Sequence, residues 1–235
     1  MGNNIGGFKY EQKVVDTLVS AGFSGEITES AGASSTGSDA DIVVNGKPYL
    51  VEVKQTSKAQ MGGTSLGFDG SFRTIGDSVS AETEENLCSK MESKKQVLQE
   101  LLDFVGATSF PFCCKKEVWE AAREKGLLVP INSKIKSDAE FICDHYRSKG
   151  VHYIQIGNAG LFHMGENPAN LPVPKLEGDV NLEVRAGRSG SRKLKDGTKV
   201  VPVGLRVQGR LQFNPKSDYT LDDKESIQKL VEVIS

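Results

Sequence analysis

The sequence predicts an α/β protein with a mixed central sheet flanked by helices. Three observations carry this. Phe8, Glu11, Val15 and Leu18 fall at i, i+3, i+7 and i+10, along one face of an amphipathic helix over 8–22. Two apolar runs follow, Asp41–Val44 and Tyr49–Lys54, joined by Asn45-Gly46, a strong signal for a tight hairpin turn. Helical and extended patterns then both recur along the rest of the chain.

The elements run in this order. Gly22 stops the first helix. Residues 30–38 are a loop of small residues, and the hairpin occupies 41–54. Residues 55–80 are Gly/Ser-rich, with a short hairpin near Gly67–Phe72. Leu87, Met91, Leu98, Leu101 and Val105 predict one long helix over 84–105. Two further helices are expected at about 115–126 and 135–148. Strands are expected at Val151–Ile156, Leu161–Met164, 180–186 and 199–213, with a basic loop at 187–198. A last helix fits 222–234, carrying Ile227, Leu230, Val231 and Ile234. The expected organisation is a core over 1–105, a helical insertion over 106–150, and a remainder over 151–235. That remainder holds the last sheet strands, a basic β-rich extension and the final helix, all within one compact domain.

At 235 residues and 37% hydrophobic content, the chain has enough apolar material for a core. No window approaches the ~20 apolar residues of a membrane helix. The first residues carry neither a basic region nor an apolar core, so no secretory signal is expected. Gly6 stands where a myristoylation signal needs Ser or Thr. Cys88, Cys113, Cys114 and Cys143 form no CxxC pair, which predicts free thiols and a cytoplasmic location.

The net charge of −2 speaks against a uniformly basic coat, but the charge is segregated. Residues 185–210 hold Arg185, Arg188, Arg192, Lys193, Lys195, Lys199, Arg206 and Arg210 against one acid, Asp196. That segment carries +7 and the remaining chain −9, which points to an anionic partner.

The strongest chemical signal is Asp41 followed by Glu52-Val53-Lys54. Strand side chains alternate, so Val51 and Val53 take the apolar face while Glu52 and Lys54 share the other. The Asn45-Gly46 turn brings Asp41 alongside on the neighbouring strand. Two carboxylates and an ammonium at one sheet edge suit a hard divalent cation. Such an ion polarises a phosphodiester, and a neighbouring lysine stabilises charge developing on phosphorus or orients a water. Glu11, on the apolar face of the first helix, is a further acid directed toward the sheet. Asp39 lies two residues upstream of Asp41 on the same strand face; it is the alternative acid, assigned here to the loop.

Residues 8–55 resemble the PD-(D/E)xK nuclease superfamily, with its restriction-endonuclease-like fold. Asp41-Ile42 and Glu52-Val53-Lys54 carry the resemblance. Glu11 in the upstream helix is similar to the acid of Holliday-junction resolvases. Ala40 stands where many members have proline. Lys58–Gly63, His152–Gly157 and Gly160–Phe162 are similar to segments of phage-encoded nucleases. The resemblance implies an endonuclease that hydrolyses DNA with Mg²⁺ or Mn²⁺, leaving 5′-phosphate and 3′-hydroxyl ends. Asp41, Glu52 and the Val53 carbonyl would hold the metal, Lys54 would be the catalytic lysine, Glu11 an auxiliary acid and Gln55 a polar partner. Arg185, Arg188, Arg192, Lys193, Lys195 and Lys199 would track phosphates. A resolvase of this class would be a homodimer; a homing enzyme or an inactive DNA-binding relative are the alternatives.

Other motifs fail on context. Gly32–Gly37 resembles a phosphate loop, but Ser38-Asp39 replaces the Lys-Ser/Thr it needs. Asp39 and Asp41 open a calcium-loop pattern that Val44 and Leu50 break. Gly63-Thr64-Ser65-Leu66-Gly67 matches G-x-S-x-G without the flanking strand and helix a nucleophile elbow requires. His145, His152 and His163 lack metal-ligand spacing.

Overall fold

The computed structural model describes residues 5–23, 39–76 and 78–234. The loop at 30–38 and the candidate phosphate loop at Gly32–Gly37 lie outside the described residues. The chain forms two compact units and passes between them at 61/62, 137/138, 180/181 and 209/210.

The first unit comprises 1–61, 138–180 and 210–235. It is built on a four-stranded mixed sheet in the order β1-β2-β7-β8. β1 is Ala40–Val44 and β2 is Lys47–Lys54, antiparallel, with Asp41 opposite Leu50. Asn45 (φ 51°) and Gly46 (φ 75°) both take the left-handed backbone that a two-residue hairpin needs. β7, Val151–Ile156, adds to β2 in parallel, and β8, Gly160–His163, returns antiparallel to it.

Helix α1, Ile5–Ser20, supplies Val14 and Leu18 to a core shared with Ile42, Val51, Val53 and Tyr153. The carbonyl of Leu18 accepts from Phe23 N–H at 3.0 Å, and Gly22, at φ 68°, makes that closure without strain. α6, Lys224–Ile234, adds Ile227 and Leu230 to the same core. α5, Glu140–Arg147, packs on β7 and buries Phe141, Ile142 and Tyr146. Gln155 of β7 is fully buried and fully engaged. Its amide donates to the Thr220 hydroxyl at 2.8 Å and the Tyr10 hydroxyl at 3.1 Å, and its carbonyl accepts from Leu221 N–H at 2.8 Å. These bonds tie α1, β7 and the approach to α6 together.

The second unit comprises 62–137 and 181–209. It contains most of a seven-stranded sheet whose main path is β4-β3-β11-β9-β6. The strands are β3 (Met61–Phe68), β4 (Phe72–Ile75), β6 (Ser133–Asp138), β9 (Asp179–Arg188) and β11 (Lys199–Leu211). β5 (Phe112–Lys115) and β10 (Arg192–Lys193) both pair with β11. Helices α2 (Ala81–Met91), α3 (Lys95–Val105) and α4 (Lys116–Glu124) complete it, with α2 against β4, α4 against β5 and α3 against α4.

Several expectations are corrected. The α/β class holds, but there are two sheets rather than one central sheet. The helix at 84–105 is two helices, because the backbone tightens into a 3-10 turn at Glu92–Lys94. Residues 106–150 are not a helical insertion: they include β5 and β6, and the chain changes unit at 137/138. The 1–105 core is likewise divided at 61/62, because β3 finds its partner in β11, far along the sequence, rather than in β2. Ser65 sits within β3, so its G-x-S-x-G run is continuous strand and forms no nucleophile elbow. The four cysteines are free thiols. Among the described residues, no helix is long and apolar enough to cross a membrane.

Candidate active site

The C-terminal end of β2 gathers charge. Val51 and Val53 enter the core, and alternation turns Glu52 and Lys54 to the opposite face, the side covered by α5. The Lys54 ammonium donates to the Glu52 carboxylate and lies 3.7 Å from Asp39 Oδ2. It also reaches the Val53 carbonyl at 3.3 Å. The three charged side chains are 19%, 11% and 23% exposed for Lys54, Glu52 and Asp39, which makes this a largely desolvated cluster rather than a surface pair.

Asp39 is held there by the sheet itself. β1 pairs with β2 only back to Ala40 opposite Val51, so the N–H of Val53 lies beyond the main-chain pairing. The Asp39 carboxylate takes that N–H at 2.9 Å. Asp39 lies just before β1, as its assignment to the loop expects, yet its carboxylate stands beside the lysine. Asp41 shares the face of Glu52 and Lys54 but sits opposite Leu50, one diagonal step away, a Cα separation of ~7–8 Å in such pairs.

Burial pushes the Glu52 carboxyl above the ordinary glutamate range; the Lys54 charge opposes this, the Asp39 charge adds to it, and a hydrogen bond from Tyr146 also opposes it. Burial likewise raises Glu11 on α1, with the charges of Asp39 and Glu52 adding and Lys54 opposing. Glu11 thus feels the same cluster, as its helix position predicts. For Lys54, burial favours the neutral amine, but Tyr146, Glu52 and Asp39 outweigh it and hold the group above the usual lysine value.

Tyr146 is a site residue that sequence reasoning missed. It comes from α5, far along the chain, and its aromatic ring in a helix gives no local sign of a role. The phenylalanine variant tests its bond to Glu52. In Tyr146→Phe the Glu52 carboxyl should titrate at higher pH than in the wild type, read by carboxyl-carbon NMR. An unchanged titration removes Tyr146 from the site.

Gln55 does not join the cluster. Alternation sends its amide to α1, where a side chain on Gly6 would start 3.0 Å from Gln55 Oε1. Gln55 is thus a packing partner of the helix start, and nothing in its surroundings supports the expected catalytic role. Arg185, Arg188, Arg192, Lys193, Lys195 and Lys199 are all exposed, on β9, β10, the turn after β10 and the start of β11. Arg185 also donates to Glu183 at 2.8 Å.

The donor set fits a hard cation in kind. Asp39, Asp41, Glu52 and the Val53 carbonyl offer oxygen alone, and Glu52 and Glu11 are raised chiefly by burial, with neighbouring carboxylate charge adding to it. Among the described residues no three His, Cys, Asp or Glu side chains are grouped so as to hold a metal ion. Mg²⁺ commonly uses one or two carboxylates, with waters and substrate phosphate completing the shell.

No family model, no curated protein and no solved structure matches the chain, so the site stands on its own geometry.

Proposed function

We propose that the protein is a divalent-metal-dependent endonuclease that hydrolyses DNA phosphodiester bonds, of the PD-(D/E)xK type. The observation that carries this is the Lys54–Glu52–Asp39 cluster at the C-terminal end of β2, with Glu11 and Tyr146 coupled to it. The β1–β2 hairpin, the parallel addition of β7 and the packing of α1 on the Val51/Val53 face support a restriction-endonuclease-like reading of the first unit.

Glu52 and the Val53 carbonyl would hold the metal, with Asp39 or Asp41 as second carboxylate. A bound Mg²⁺ or Mn²⁺ supplies Lewis-acid stabilisation of charge on the phosphoryl oxygens. Lys54 acts as a cation rather than a base. Its neighbours hold it protonated through neutral pH, so it offers positive charge to the pentacovalent transition state and takes no proton from water. Glu11, raised by burial, keeps its proton to higher pH than a free glutamate and would be the acid that exchanges one.

Nicking of supercoiled plasmid tests the proposal. The wild type should nick with Mg²⁺, stop in EDTA, and lose activity in Glu52→Gln. Of Asp39→Asn and Asp41→Asn, the more damaging identifies the second carboxylate. Metal-independent nicking, or full activity in Glu52→Gln, would sink the assignment.

A further inference from the structure

The seven-stranded sheet has one buried face and one basic, exposed face. Alternation buries Leu182 and Val184 on β9, and Val203, Leu205 and Val207 on β11. The opposite face carries Arg185 on β9, Arg206 on β11, and Lys134 and Lys136 on β6, all exposed. Arg73 on β4 joins them, opposite Gly67 of β3, with its guanidinium 3.3 Å from where a Gly67 side chain would begin. Arg185, Arg188 and Arg206 line one recess of about 170 Å³ with Gln208, and Lys134 and Arg185 line a second beside it. Glu183 accepts from Arg185 at 2.8 Å and Asp69 from Arg73 at 2.7 Å, while Asp138 at the end of β6 and Asp179 at the start of β9 are exposed on the same face.

Two glycines on this face have no structural cause. Gly187 on β9 and Gly204 on β11 lack the left-handed backbone that requires glycine. A side chain at either would meet nothing within 4 Å. Glycine weakens a strand, and its usual justification there is a bulge or the close approach of another backbone.

We infer that this face is a platform for the phosphodiester backbone of duplex DNA. Arg185, Arg188, Arg206 and Lys134 take the phosphates, and Gly187 and Gly204 leave room for the strand to lie close. The inference rests on DNA being the substrate. It moves the grip from the basic loop at 187–198 to a sheet face assembled from β4, β6, β9 and β11.

The test uses the full chain and a short fluorescent DNA duplex in EDTA, read by anisotropy over a salt series. Arg185→Gln with Arg206→Gln should weaken binding about tenfold and flatten the salt slope by roughly one for each phosphate no longer gripped. Gly187→Leu and Gly204→Leu should keep or raise Tm while also weakening binding, an effect that a purely structural role for these glycines does not produce. Folded variants that bind as the wild type does would overturn the platform, as would poly-glutamate competing as well as DNA. If those variants bind normally while the wild type still nicks plasmid with Mg²⁺, the platform falls and the nuclease reading stands. A wild type that binds through this face and never cuts supports the platform and removes the nuclease reading.

Discussion

Lys54→Ala should abolish plasmid cleavage, by at least ~10²–10³-fold, while leaving DNA binding in EDTA close to that of the wild type. The size follows from what the ammonium does. It is a desolvated cation held protonated by Glu52 and Asp39, and charge stabilisation in such a setting is worth far more than at a surface. The substitution also leaves Glu52 buried without its partner, which raises the Glu52 carboxyl further and weakens its capacity to hold a cation. Lys54→Arg keeps the charge and should recover part of the activity, because the planar guanidinium meets Glu52 in a different geometry. Cleavage by Lys54→Ala at the wild-type rate would exclude Lys54 from the reaction. Recovery by added base rather than by Lys54→Arg would show that proton transfer, not positive charge, is its contribution.

Gly157→Ala should destabilise the first unit by about 2–3 kcal/mol. The added methyl would overlap the Gln55 carbonyl oxygen and begin 3.1 Å from the Tyr10 ring. Backbone blocks it on one side and α1 on the other, so no flexible side chain can move aside. Gly157 N–H also donates to the Lys54 carbonyl at 2.8 Å, the bond that continues the β2–β7 pairing past Lys54. The clash therefore acts on the strand end that carries the site. Tm should fall by about 4–12 °C, with cleavage falling beyond what the unfolded fraction explains. Gly187→Ala, placed in open space, is the control and should leave Tm unchanged or slightly higher. Equal Tm for Gly157→Ala and the wild type would contradict the close approach of β2 and β7.

What can be read in the sequence is local. Asn45-Gly46 announces its hairpin because few residues besides Asn and Gly accept left-handed backbone at both turn positions. Val151–Ile156 is legible because a short segment rich in Val, Tyr and Ile, followed by Gly157, has the length and composition of a strand. The shared face of Glu52 and Lys54 follows from the period of two, and the inward position of Glu11 from the helical period. The split of 84–105 is not legible, since the apolar spacing continues across the 3-10 turn at Glu92–Lys94.

The sequence by itself determined the hairpin, the first helix and the Glu52–Lys54 face, because each depends on neighbours within a turn or a strand. Only the tertiary structure brought Asp39 to the lysine. Asp39 takes that place because pairing of β1 with β2 stops at Ala40 and leaves the Val53 N–H for its carboxylate. Only the tertiary structure brought Tyr146 to Glu52, and Lys134 to Arg185. Those meetings depend on which strands and helices become neighbours across long stretches of chain, and periodicity carries no record of that choice.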